Sequence, residues 1–152
     1  MTQNATYRHT QTSPLSAGLI AIGIGLLCFA WAWRGEPGAA WTTGCVSALM
    51  LLAAGSVQRL TVIGEESGVL LQFGPIPLFA KRIPYSTMTA VEASRSSWID
   101  GWGIHYIPGR GWTYNIWGFD CVLIRRAGKR PIRIGTDDVD GLLRFLQSRA
   151  GS

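Results

Sequence analysis

Two uncharged runs, Leu15 to Trp33 and Gly38 to Gln58, are separated only by Arg34, Gly35, Glu36 and Pro37. Each run has about the ~20 residues that cross a ~30 Å hydrocarbon core as a helix. Backbone polar groups cannot go unpaired in lipid, so both runs are expected to be helical, with Pro37-Gly38 marking the tight turn between them. A cleaved secretory leader fits less well. The residues before the first run carry only Arg8, the run is longer than the apolar core of a leader, and a second span follows at once. The expected organisation is a polar, disordered tail over residues 1–14, a transmembrane helical hairpin over 15–58 with spans 15–33 and 38–58, and one small domain over 59–152.

The basic residues flanking the spans predict the orientation. Arg8 precedes the first span, Arg59 follows the second, and Lys81 and Arg82 come soon after, whereas the connecting turn holds only Arg34. The positive-inside rule then puts both termini in the cytoplasm of a multi-pass membrane protein. Trp31, Trp33 and Trp41 flank the turn, where an aromatic belt at the outer interface would sit.

The net charge of +5 raises the question of nucleic acid. Twelve of the fourteen basic residues and eight of the nine acidic ones follow the second span, a modest local excess of four positive charges. No arginine-rich helix, zinc pattern or aromatic RNA-binding motif accompanies it, so no nucleic-acid partner is expected. The basic residues gather instead around one turn: Arg125, Arg126, Lys129, Arg130 and Arg133. That is either a head-group contact for anionic lipids or a solvated hairpin tip. Cys28, Cys45 and Cys121 show no paired spacing and read as small apolar residues. Asp137, Asp138 and Asp140 look like a metal cluster, but lack the ligand spread and closing Glu of a calcium loop and suit a helix start better. Gly101-Trp102-Gly103 lacks the third glycine and helix of a dinucleotide loop. No metal or other cofactor is expected.

Beyond Arg59 short β-branched and aromatic segments alternate with turn residues. Strands are predicted at 59–63, 69–73, 79–83, 89–94, 103–107, 113–117, 121–126 and 130–134. Connections this short predict an antiparallel meander. Ile104, Tyr106, Tyr114, Ile116, Val122, Ile124, Ile132 and Ile134 share one parity, expected to face a core, while His105, Asn115, Arg125 and Arg133 take the opposite one. The last segment is an amphipathic helix, capped by Thr136 or Asp137, with Val139, Leu142, Leu143 and Leu146 on one stripe. It is expected to close a small barrel.

Seven or eight antiparallel strands followed by one amphipathic helix resemble a pleckstrin-homology-like (PH-like) domain. The chain is also similar to bacterial PH-like domains that follow paired transmembrane helices. The resemblance rests on IPYSTMTAVEAS from Ile83, GWGIHYIPGRGWTYNIWG from Gly101 and KRPIRIGTDDVDGLLRFL from Lys129, and covers about Gln58 to Arg149. It implies a membrane-anchored α+β protein of the bacterial cytoplasmic (inner) membrane, with a PH-like antiparallel barrel closed by the last helix. It does not transfer phosphoinositide binding. The turn from Ile63 to Gly68, where eukaryotic relatives carry a basic lipid motif, is acidic here.

Four of the seven tryptophans, Trp98, Trp102, Trp112 and Trp117, fall within twenty residues together with Tyr106 and Tyr114. They are either core and hairpin packing or an aromatic surface that docks a protein or enters a bilayer interface. Trp98 and Trp112 lie near turns, where exposure is expected. Trp98, Trp102, Arg110 and Trp112 are the candidate partner-binding residues. Arg125, Arg126, Lys129 and Arg130 are the candidate head-group contacts. His105 would need a nucleophile and a carboxylate such as Asp100 or Asp120 to act as a catalytic base, and sequence places none of them together. The leading expectation is a non-enzymatic membrane protein whose domain binds a protein partner. The alternative is an anionic-lipid-sensing or envelope-maintenance module, and a membrane hydrolase comes third.

Overall fold

The computed structural model describes residues 7–75, 78–97 and 102–150. Two helices, α1 (Leu15–Ala32) and α2 (Pro37–Ser56), form an antiparallel hairpin. Pro37 occupies the first turn of α2, where its missing N–H costs no hydrogen bond. Both helices are long and apolar enough to cross a membrane, and only 11% of each apolar stretch is buried by the rest of the chain. Neither therefore serves as the core helix of the domain.

By helical spacing Gly18, Ala21 and Gly25 in the first span and Gly44, Ala48 and Gly55 in the second offer a small-residue packing face, but three of its glycines lie clear of the other helix. A side chain built on Gly18, Gly25 or Gly44 would touch nothing. The close approach is at Gly23, where a Cβ would lie 2.7 Å from Leu51 Cδ2, and the fully buried Ser47 Oγ donates to the Gly23 carbonyl at 2.6 Å. A hydroxyl aimed at a partner backbone needs that backbone bare of side chain, which selects Gly23.

Residues 8–12 are not a disordered tail. They form strand β1 (Arg8–Thr12), which pairs antiparallel with β2 (Arg59–Gly64), Thr12 opposite Arg59 and Arg8 opposite Ile63. The hairpin returns the chain to its starting point, so strands far apart in sequence meet as neighbours. Ser13 N donates to Gln58 O just beneath the helices. The sheet continues through β3 (Gly68–Gly74) to β4 (Ala80–Pro84) in the order β1-β2-β3-β4.

A 3-10 turn, Tyr85–Thr87, leads into the second sheet: β5 (Met88–Arg95), β6 (Gly103–Ile107), β7 (Gly111–Asn115), β8 (Asp120–Arg126) and β9 (Lys129–Gly135). All eight predicted strands are present. Their pairing is not a meander. The order is β5-β8-β9-β7-β6, with β9 inserted between β7 and β8 and parallel to β7. Two sheets of four and five strands face each other, and among the described residues no ladder closes them into the expected barrel.

One core fills the space between the sheets. Leu60, Val62, Leu71, Phe73 and Ile83 come from the first sheet, and Tyr114, Val122, Ile124, Ile132 and Ile134 from the second. The parity reading holds for the last five and for Ile116; Ile104 packs partly buried against the core, whereas Tyr106 is exposed. Helix α3 (Val139–Arg149) contributes Leu142, Phe145 and Leu146. Asp138, rather than Thr136 or Asp137, caps it by accepting from Gly141 N at 3.0 Å, and Thr136 Oγ1 accepts from Asp138 N in turn.

Candidate functional site

Register gives the first sheet two distinct ends. Thr12, Arg59 and Gly74 lie in one row beside the helices, and Ile63, Gly64 and Val69 lie at the other. Phe145 of α3 closes the far end, stacking on Tyr7 at 5.1 Å and meeting Tyr85 edge-on. The near end is faced by β6 and β7. Gln11 Nε2 donates to Trp117 O at 2.9 Å, while Phe73 and Phe79 share a cavity with Ile104, Trp112 and Tyr114.

Outside the helices, the large apolar side chains left exposed among the described residues are Leu78, Phe79, Trp102, Tyr106, Trp112, Trp117 and Phe119. Phe79 and Trp112 line the near-end cavity with Phe73, Trp117 adjoins the same end through Gln11, and Trp102 and Tyr106 pack on these tryptophans with Phe119 beside Trp102. Leu78 and Phe79 are 53% and 52% exposed on the approach to β4, and Phe79 O accepts from Phe73 N. Trp102 stacks on Trp117 at 5.1 Å with Phe119 beside it at 6.5 Å, and Tyr106 lies 5.5 Å from Trp112. Exposed rings grouped in a band in this way differ from the singly scattered apolar residues of an ordinary surface.

The candidate residues fall into distinct environments. Trp98 lies outside the described residues. Trp102 and Trp112 are both in the band, at 44% and 39% exposure. Arg110 sits in the β6–β7 turn, its N–H donating to Ile107 O and its carbonyl accepting from the Arg133 guanidinium. Gly111 follows it with φ +88°, and a Cβ there would strike the Pro131 backbone, so this turn is shaped by close contact with β9.

The basic cluster splits between two faces. Arg125 points away from the core and pairs with Glu92 at 3.0 Å. Arg126 and Arg130 turn toward the aromatic band: Arg126 Nε and Nη2 donate to the Arg130 carbonyl at 3.0 and 2.6 Å, and the Arg130 guanidinium lies 4.6 Å over the Tyr106 ring. Lys129 is exposed in the same turn. Strand alternation accounts for the split between Arg125 and Arg126, which are adjacent on β8 and so take opposite faces, whereas the position of Lys129 and Arg130 beside the turn gives no such signal.

Between the mouths of the sheets lies a cavity of ≈ 350 Å³ with Phe73, Phe79, Ile104 and Trp112 among its apolar walls and Lys81 and Arg126 at its rim. The Tyr114 phenol on its wall is pushed above its ordinary pKa by burial, with the Arg126 charge acting in the opposite sense. Sequence reasoning missed Lys81 and Phe79 as site residues. The only available signal was the apolar run Ile76 to Phe79 ending in Lys81-Arg82, which also reads as a plain hairpin loop.

The far face of the second sheet is not the solvated surface that parity suggested for His105, Asn115 and Arg133. Thr113, Asn115 and Arg133 are all buried. His105, Thr113 and Arg133 form one cross-strand row, and His105 Nε2, Thr113 Oγ1 and Arg133 Nε have no hydrogen-bond partner. Asp120, nominated to orient His105, is engaged by Arg95 at 3.1 Å, and Asp100 lies outside the described residues. Among the described residues, no three His, Cys, Asp or Glu side chains converge as a metal site would require.

No known protein-family model matches the chain, and a search of curated proteins finds no match.

Proposed function

We propose that this is a non-enzymatic, multi-pass protein of the bacterial cytoplasmic membrane that holds a PH-like domain against the anionic surface of the bilayer, with both termini cytoplasmic. The observation that carries the reading is the coincidence of the exposed aromatic band with the end of the domain from which α1 and α2 depart. Exposed apolar side chains such as Ile22, Leu27, Leu49 and Leu52 on the helices need lipid around them. Tying β1 to β2 leaves almost no linker, so the near end of the domain must lie at the interface, where Trp and Tyr are favoured and Arg59, Lys81 and Arg130 meet anionic head groups. Two facing sheets with one C-terminal helix against them support the PH-like assignment, with the sheets left open instead of closed as a barrel.

The test uses the full chain in vesicles containing brominated lipids. Tryptophan emission quenched in wild type, with reduced quenching in Trp112→Phe and Trp102→Phe, is the expected result. Quenching confined to the helix tryptophans refutes the apposition.

A protein partner is the second reading, favoured by the Trp102–Trp117 stack, which lies away from the basic turn. Crosslinking from Trp102 in intact membranes that captures one stoichiometric protein would support it.

A further inference from the structure

We propose that the cavity between the two sheets is a binding site for one anionic membrane phospholipid, taking the phosphate at Lys81 and Arg126 and the start of an acyl chain along Phe73, Phe79, Ile104 and Trp112. This inference rests on the domain standing against the bilayer, and adds a discrete, stoichiometric site to that contact.

Charge distribution is the first argument. Arg82 pairs with Glu65 at 2.7 Å, Arg95 with Asp120 at 3.1 Å and Arg125 with Glu92 at 3.0 Å. Among the described residues neither Lys81 nor Arg126 meets a carboxylate. Arg126 is instead steered by two hydrogen bonds to the Arg130 carbonyl. These bonds engage Nε and Nη2 and leave Nη1 for a ligand. Two cations at the rim of an apolar cavity, spared the acidic partners given to their neighbours, are complementary to an anion that carries hydrocarbon.

Position is the second argument. Phe79 lines the cavity and is also half exposed at the near end of the domain, and Trp112 does the same from the opposite sheet. The cavity therefore opens within the aromatic band, continuous with the surface that faces the bilayer, and a lipid reaches it without crossing water. At ≈ 350 Å³ it is at the small end of ligand cavities, large enough for a head-group phosphate and the first part of one chain but not for a whole lipid. The remainder of the molecule stays in the leaflet.

The test is native mass spectrometry of the full-length protein in mild detergent, titrated with phosphatidylglycerol, with phosphatidylcholine of the same chains, or with oleate. Wild type is expected to hold one phosphatidylglycerol with at least about tenfold preference over phosphatidylcholine, whose phosphate is the same but whose choline cation would face the like charges of Lys81 and Arg126. Lys81→Glu with Arg126→Glu should abolish the preference, and Arg144→Glu on the exposed side of α3 should leave it intact. Ala80→Phe fills the cavity without changing charge and should also abolish retention, which covers the case in which the double variant does not fold. Equal binding of both phospholipids by wild type, or retention unchanged in Ala80→Phe, overturns the proposal. Displacement of phosphatidylglycerol by equimolar oleate overturns the assignment to a phospholipid. Quenching by brominated lipid in the same variants reports apposition separately: quenching kept while retention is lost places the failure in the cavity alone.

Discussion

Tyr7 shows how much one side chain outside the expected domain contributes. Its ring stacks on Phe145 and its hydroxyl donates to Asp138 Oδ2 at 3.0 Å, binding the first described residue to the cap of the last helix. Burial, then the hydrogen bond and charge of Asp138, hold its phenol well above the usual pKa. The folded state keeps that proton where the unfolded chain releases it, so the stabilisation is complete below about pH 10 and drains as pH rises toward the folded value. Denaturant unfolding in detergent should therefore weaken above about pH 10, and less steeply in Tyr7→Phe, which should also lose roughly 1.5 kcal/mol at neutral pH with the hydrogen bond. At Gly111 the demand is steric. Gly111→Ala forces a side chain into φ +88° and against Pro131, and should cost at least about 2 kcal/mol in the same unfolding measurement.

Among the elements, β1 is the one whose existence depends most on the others. Arg8 to Thr12 is polar, and as an edge strand it has no apolar stripe to announce it. Its partner lies about fifty residues away, yet the closed helical hairpin delivers the two ends together, and the chain entropy of that closure is already met. Removing residues 1–12 should leave the helices inserted but open the β2 edge. Limited proteolysis in membranes is expected to cut the truncated domain at least several times faster, and an unchanged rate would show that β1 adds no protection. The helical hairpin has its own latch in Ser47. Ser47→Ala should weaken helix association by about 0.6 kcal/mol, whereas Ser47→Leu, too large for the approach to Gly23, should part the helices. Energy transfer between labels at Arg34 and on each helix end separates these outcomes.

For the whole molecule the two halves constrain each other: the helices bring β1 to β2, and the sheet holds the helix ends at one edge of the domain. If the helices cross a bilayer, Thr10 and Ser148 must lie on the same side and Gly35 on the other. In a chain with its three native cysteines replaced, a membrane-impermeant thiol reagent should label Thr10→Cys and Ser148→Cys only after the cytoplasmic face is opened, and Gly35→Cys without it. Labelling of Thr10 and Ser148 from opposite sides would contradict the β1–β2 pairing in the membrane as well as the orientation.

Local pattern was sufficient for much of this architecture. The uncharged runs, the alternation from Tyr114 to Ile134 and the stripe of α3 depend on periodicity, and periodicity is a property of neighbours in sequence. The same information was silent on which strands pair. Gly118 turns the chain after β7 as a hairpin would, but Ile132 and Ile134 gain more burial between β7 and β8 than at an edge, and β9 enters there. The candidate site divides likewise. The aromatic and basic residue types were visible in the sequence, whereas the junction of Phe79 and Lys81 with Trp112 and Arg126 arises only when two sheets fold face to face, because residues separated by thirty or more positions share no local signal.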